Sequence, residues 1–261
     1  MAGQPCRSTP DFGARWQECA KQTLKGGLPL LTYLRRLTPS RVVAALLGVG
    51  LASLGDPAQA ADVDRDKLMV VLRESIGANK KDDALKPSGT AKAKLPDGKE
   101  VEISPAWFEF IGDMHIRFVI DEPTTMRGVS SEQLAALNLS PREAVKLALA
   151  NIKRVYGEPA ATPWTGGLME VSGKSPDLNS SYFLDLDFWN ALLQNHPEGI
   201  VAAVPKRGGL VFAPISDVKA IDGLRKGVSF LFSSSGNLRV SSALYLFKDG
   251  KWSVFQDPVK Q

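Results

Sequence analysis

The chain has 261 residues, 44% of them hydrophobic and 23% charged. That balance excludes wholesale disorder and leaves room for one large domain or two small ones. The formal charge of +4 is uneven, because residues 1–60 hold seven of the 32 basic and three of the 28 acidic side chains. The 25 of each sign that remain make 61–261 formally neutral, so the basic balance gives no support to a nucleic-acid partner.

Both cysteines, Cys6 and Cys19, also precede residue 60. Arg35, Arg36 and Arg41 lead into an apolar run, Val42 to Leu54, followed by Gly55-Asp56-Pro57 and the small-residue triplet Ala58-Gln59-Ala60. A cationic flank, a short apolar stretch and an A-x-A ending predict a secretory signal peptide, cleaved between Ala60 and Ala61. The run is shorter than the roughly 20 residues a bilayer span needs, so an uncleaved membrane anchor is the weaker reading. The product is expected to be exported, periplasmic or extracellular, and free of thiols. A membrane contact is expected only through an uncleaved leader.

Beyond the leader, Asp64 to Ile76 places Leu68, Val71, Leu72 and Ile76 at helical spacing, and Gly77 follows as a stop. The polar stretch 78–90 reads as a linker. Residues 92–103 read as a hairpin about Asp97-Gly98. Pro105, Trp107, Phe108 and Phe110 form an aromatic knot, expected to pack on that first helix. From Met114 to Asp121 the alternation is that of a strand, with His115, Arg117, Val119 and Asp121 on one face. Pro123 to Gly128 is a turn region, and Ser130 and Ser131 open a short helix. Ser140-Pro141-Arg142-Glu143 is a capping box for a longer helix that ends at Gly157.

Residues 159–167 read as a loop, with short strands at Leu168–Val171 and Tyr182–Leu184. Asp187 caps a helix, and Ile200–Val204 with Leu210–Phe212 make a hairpin about Gly208 and Gly209. A helix is expected from Asp217 to Phe232. A closing hairpin turns at Asp249-Gly250. The pattern predicts an α+β fold, with antiparallel hairpins and a mixed sheet packed with several helices. The divisions expected are a leader at 1–60, a helix-and-hairpin segment at 61–113 and an α+β domain at 114–261.

Two segments carry a resemblance: FVIDEPTTMRGVSSEQLAALNLSPREAVKLALANIKRV, and EGIVAAVPKRGGLVFAP with the closing SALYLFKDGKWSVF. In pattern and order they resemble an uncharacterised bacterial family typified by YtpQ, a domain without an assigned activity. The resemblance covers the C-terminal part, roughly 140 residues. It implies a shared α+β fold and marks Asp121, Arg127, Asn151 and Pro205 as family-like, without roles. Recognisable relatives look cytoplasmic, which the leader of this chain contradicts.

Chemistry-bearing motifs are few. The two histidines, His115 and His196, stand in unlike contexts, and no zinc, calcium, nucleotide or nucleophile-elbow signature occurs. Neither a metal nor another cofactor is therefore expected. The one constellation is His115, Arg117 and Asp121 on a strand face, with Glu122 and Arg127 just beyond and Asn151 on the following helix. Carboxylate, imidazole and guanidinium groups so arranged suit anion binding or acid/base work. The competing reading is the wet face of a strand, with Asp121 paired to Arg127. Asn151 reads as a partner for backbone, Lys206-Arg207 as a solvated turn, and Asp185 and Asp187 as caps.

Three functions stay open. The first is a non-catalytic binding or interaction module of the cell envelope, for a protein or small-molecule ligand. The second is a hydrolase-like enzyme using the His115, Arg117, Asp121 and Glu122 cluster on an anionic substrate. The third is a membrane-tethered structural protein.

Overall fold

The computed structural model describes residues 63–94 and 97–260. The expected leader, with its cleavage point at Ala60 and Ala61, lies outside the described residues. These residues belong to one compact unit. Among them no helix is long and apolar enough to cross a membrane.

The first element corrects the sequence reading. Asp64 caps a single 3-10 turn, Arg65–Lys67, after which the chain runs as strand β1, Leu68–Glu74, and not as a helix. Leu68 to Leu72 is a continuous apolar run, and all five side chains are buried. A strand covered on both faces satisfies helical spacing equally well, so periodicity does not separate the two. Ile76, assigned to the inward stripe, is 74% exposed.

Within the stretch read as linker, Lys86–Pro87 forms β2. Strands β3, Ala91–Lys94, and β4, Glu100–Ile103, make the expected hairpin as a separate two-stranded sheet. Lys94 pairs with Glu100, however, so five residues connect them and Asp97-Gly98 is not a two-residue turn. Gly98 supplies a φ of +87°, and Asp97 accepts the Lys99 N–H.

Strand β5, Trp107–Glu109, belongs to the aromatic knot, which packs against a strand and not a helix: Phe108 meets Phe118 edge-on at 5.9 Å. That partner strand, β6, runs Met114–Glu122 as expected. It pairs with β1 on one side and β5 on the other, so the boundary expected at 113/114 falls inside a sheet. The turn region after it contains β7, Thr125–Gly128, which folds back on β6. Helices α1, Ser131–Ala135, and α2, Pro141–Tyr156, both begin with complete capping boxes, from Ser130 and Ser140.

In the second half the stretch 159–167 holds β8, Ala160–Pro163, in place of a pure loop, and β9 covers Met169–Ser172. Tyr182–Leu184 is not a strand. It ends a 3-10 segment, Pro176–Leu184, whose last seven residues are buried. Helix α3, Leu186–Leu193, is capped by Asp185, and Asp187 sits in its first turn. Strands β10, Ile200–Lys206, and β11, Gly209–Pro214, helix α4, Val218–Ser234, and strands β12, Leu244–Lys248, and β13, Lys251–Gln256, follow the sequence expectation. Asp249 and Gly250 take φ values of 53° and 72°, the pair of positive angles that a tight two-residue turn requires.

The described strands form a five-stranded sheet around β6 and a six-stranded sheet in the order β13-β12-β10-β11-β9-β8. Every strand pair among the described residues is antiparallel, so the mixed sheet expected beside the hairpins is not found there. The fold is α+β. Ile200, Ala202 and Val204 of β10 share the main core with Phe183, Trp189, Tyr245 and Trp252. The alternate residues Val201 and Ala203 are buried on the opposite face, where α4 packs on β10 and β11.

Candidate functional site

Strand β6 separates the predicted constellation into two groups. Asp121 stands six residues beyond His115, which is about 20 Å of extended chain. The side chains meet at opposite ends of the strand and do not converge.

At the first end, the Arg117 Nε–H donates to His115 Nε2 at 2.7 Å, and the guanidinium carbon lies 3.8 Å over the Trp107 ring. This face is not wet: His115 is 7% exposed. Burial, followed by the nearby charges of Arg117 and Arg73, pulls the His115 pKa down to about 4. The imidazole is therefore neutral at physiological pH and serves as an acceptor that fixes Arg117. The sequence reading missed Arg73 and Arg207. Arg73 stands opposite His115 in the β1–β6 register. Its pKa is lowered to about 10, by burial first and then by the like charges of Arg207 and Arg117. Lys206-Arg207 is half-buried, not a solvated tip.

At the other end, Asp121 does not pair with Arg127. Asp121 Oδ2 accepts the Tyr156 hydroxyl at 2.7 Å, and Arg127 Nε bonds Glu122 Oε1 at 2.9 Å. The β6–β7 register explains this, because Arg127 faces Ile120 and so lies on the opposite side of the ladder from Asp121. The hydrogen bond to Asp121 raises the Tyr156 pKa. Asp121, Glu122 and Tyr156 line a depression of about 400 Å³ with Asp66, Lys67 and Arg154. No group of three or more metal-ligating side chains is found among the described residues.

Asn151 bonds backbone, as expected, but far away in sequence. Its Nδ2 donates to Arg65 O at 2.7 Å and to Leu68 O at 3.0 Å, tying α2 to the start of β1.

A cleft of about 290 Å³ is lined by none of the six predicted residues. One wall is α2, with Val145, Leu149, Ala150 and Lys153. The other is the start of α3, with Leu184, Asp185 and Leu186, and Phe110 and Trp252 also line it. At one end Lys153 Nζ sits 2.7 Å from Asp185 Oδ2, and Asp185 is 4% exposed. Burial on its own lowers the Lys153 pKa, but the Asp185 and Glu158 carboxylates outweigh it and hold it above the usual value. Apart from this ammonium, Asp185 Oδ2 has no hydrogen-bond partner among the described residues. At the rim Arg142 pairs with Asp83 at 3.3 Å. No local motif announces this cleft, since its walls come from five separated stretches of chain.

A buried polar cluster joins the two sheets. Asp113 Oδ1 accepts from the hydroxyls of Ser241 at 2.5 Å and Tyr245 at 3.1 Å. Oδ2 accepts from the backbone N–H and the hydroxyl of Ser242, each at 3.0 Å. Burial, then the Asp113 charge, pushes the Tyr245 pKa well above its usual value. With all four acceptor positions used, this cluster holds structure and offers nothing to a ligand.

No protein-family model matches the chain, and neither a curated protein nor a solved structure matches it, so the reading of function rests on this geometry.

Proposed function

We propose that the protein is an exported, non-catalytic binding module of the cell envelope, YtpQ-like in its C-terminal part, that takes a small and mainly apolar ligand in the α2–α3 cleft. The observation that carries the reading is an apolar cleft ending in a nearly buried Lys153–Asp185 pair. Apolar walls with a few convergent polar groups are the usual form of a small-molecule site. The charged groups of the lining are Arg142, Lys146 and Lys153 against Asp83, Asp185 and Asp187, and they cancel, which favours a ligand without net charge. Lys153 and Asp185 together offer one end of it a donor and an acceptor.

The test uses protein recovered from outside the cytoplasm, with an N-terminus expected at Ala61. Titration with the neutral apolar dye N-phenyl-1-naphthylamine should give saturable fluorescence in the wild type. Ala150→Trp, an exposed wall position, should weaken binding at least about tenfold by filling the cleft. Equal binding by this variant, or a chain retained inside with residues 1–60 attached, overturns the proposal.

A further inference from the structure

Three arginines are brought together from three separate parts of the chain. Strand register supplies two of them: Arg73 faces His115 across the β1–β6 ladder, and Arg117 lies two residues along the same face of β6. The third, Arg207, arrives on the β10–β11 turn. That turn is fastened by the Arg207 N–H donating to Leu238 O at 3.0 Å and by Arg207 O accepting the Ser180 N–H at 3.2 Å. The segment under the turn is itself pinned to β1, because the Ser181 hydroxyl donates to Val70 O at 2.7 Å. The charge of Arg207 is near enough to lower the pKa values of both Arg73 and Arg117.

Like charges gathered and half-buried oppose folding unless something neutralises them. Among the described residues, no carboxylate lies within ion-pair distance of any of the three. Asp177 acts on Arg73 from farther off. The two nearest strand acids are already engaged, Glu74 with Arg239 at 3.4 Å and Glu109 with Lys86 at 3.6 Å. Donors are left over as well. Arg73 spends one N–H on Leu72 O, and Arg117 spends its Nε–H on His115 while its plane is held over Trp107. Arg207 Nε is shielded from solvent and has no hydrogen-bond partner among the described residues.

We propose that Arg73, Arg117 and Arg207 form a binding site for a dianionic oxyanion: phosphate, or the phosphate group of a monoester. Planar guanidiniums bind such oxygens through paired N–H donors, and a dianion matches three cations offset by one distant acid. Neutral His115 is a positioning residue, which holds Arg117 without adding charge. The site is separate from the α2–α3 cleft and does not depend on it.

Calorimetric titration of the intact protein with sodium phosphate at pH 8, at ionic strength held constant with sodium chloride, tests the proposal. Saturable one-to-one binding is expected, with acetate giving none. Arg117→Gln and Arg207→Gln should each weaken it at least about tenfold, as loss of a charge-assisted contact implies. Lys206→Gln, beside the site, should stay within about twofold. Without phosphate, Arg207→Gln should melt no lower than the wild type, because it removes repulsion and not packing. Heat no greater than a chloride control, or unchanged affinity in Arg207→Gln, overturns the site. Glycerol 3-phosphate and vesicles carrying phosphatidate identify the source: equal affinity for both assigns a soluble phosphate, and preference for the vesicles, abolished by Arg207→Gln, assigns a lipid headgroup.

Discussion

His115 and Arg117 illustrate how far a side chain's chemistry is set by what surrounds it. On sequence alone this pair suits acid/base work. Covered by the fold, the imidazole keeps a pKa near 4 against 6.5 in the open chain. Above pH 6.5 both states are neutral. Between 6.5 and 4 the unfolded chain takes up a proton that the folded chain refuses, so stability falls as pH falls through that window. The full effect is at most about 3 kcal/mol. Urea unfolding of the wild type and of His115→Gln at pH 7.5 and 4.5 isolates it from carboxylate titration. The amide oxygen of glutamine can still accept from Arg117, and the variant should lose less stability on acidification. Equal losses in both proteins would show that His115 is not buried neutral.

The joints between elements rest on residues that local patterns assign to single elements. Asn151 belongs to α2, yet its two amide bonds end on the backbone where the 3-10 turn becomes β1. Asn151→Leu should cost about 1–3 kcal/mol, because it takes a donor from the buried Leu68 carbonyl and the partly buried Arg65 carbonyl, and chemical denaturation reads this directly. A loss below about 0.5 kcal/mol would mean that the joint is held by packing alone. The same contrast explains what the sequence could reveal. Strand β6, the Ser140 capping box and the Asp249-Gly250 turn are written in neighbouring residues, and they were legible. Strand β1 was not, because burial on both faces erases the alternation that marks a strand. The 176–184 segment was hidden in the same way, with Tyr182 and Phe183 buried in a 3-10 turn rather than alternating along a strand. Of the candidate residues, the His115–Arg117 pair was readable at a spacing of two. Arg73, Arg207 and the cleft depend on register and on the docking of distant segments, which no local pattern records.

At the scale of the whole molecule the two sheets meet at Asp113. Gly112 precedes it at a φ of +64°, and a Cβ there would stand 2.3 Å from the Tyr245 hydroxyl oxygen. Gly112→Ala should therefore cost about 2–4 kcal/mol, combining a left-handed backbone penalty with displacement of Tyr245 from the cluster. Gly77→Ala, at a φ of +75° with nothing within 4 Å, carries the backbone penalty alone and should cost about 1 kcal/mol. Matching melting temperatures for the two variants would remove the claim that close contact at Tyr245 matters.

Asp113 also ties the timing of folding to sequence distance. Its partners are 128 to 132 residues downstream. A nascent polypeptide thus carries this carboxylate without its serine and tyrosine donors until Ser241 to Tyr245 have been synthesised, and burying it before then costs the desolvation of an unanswered charge.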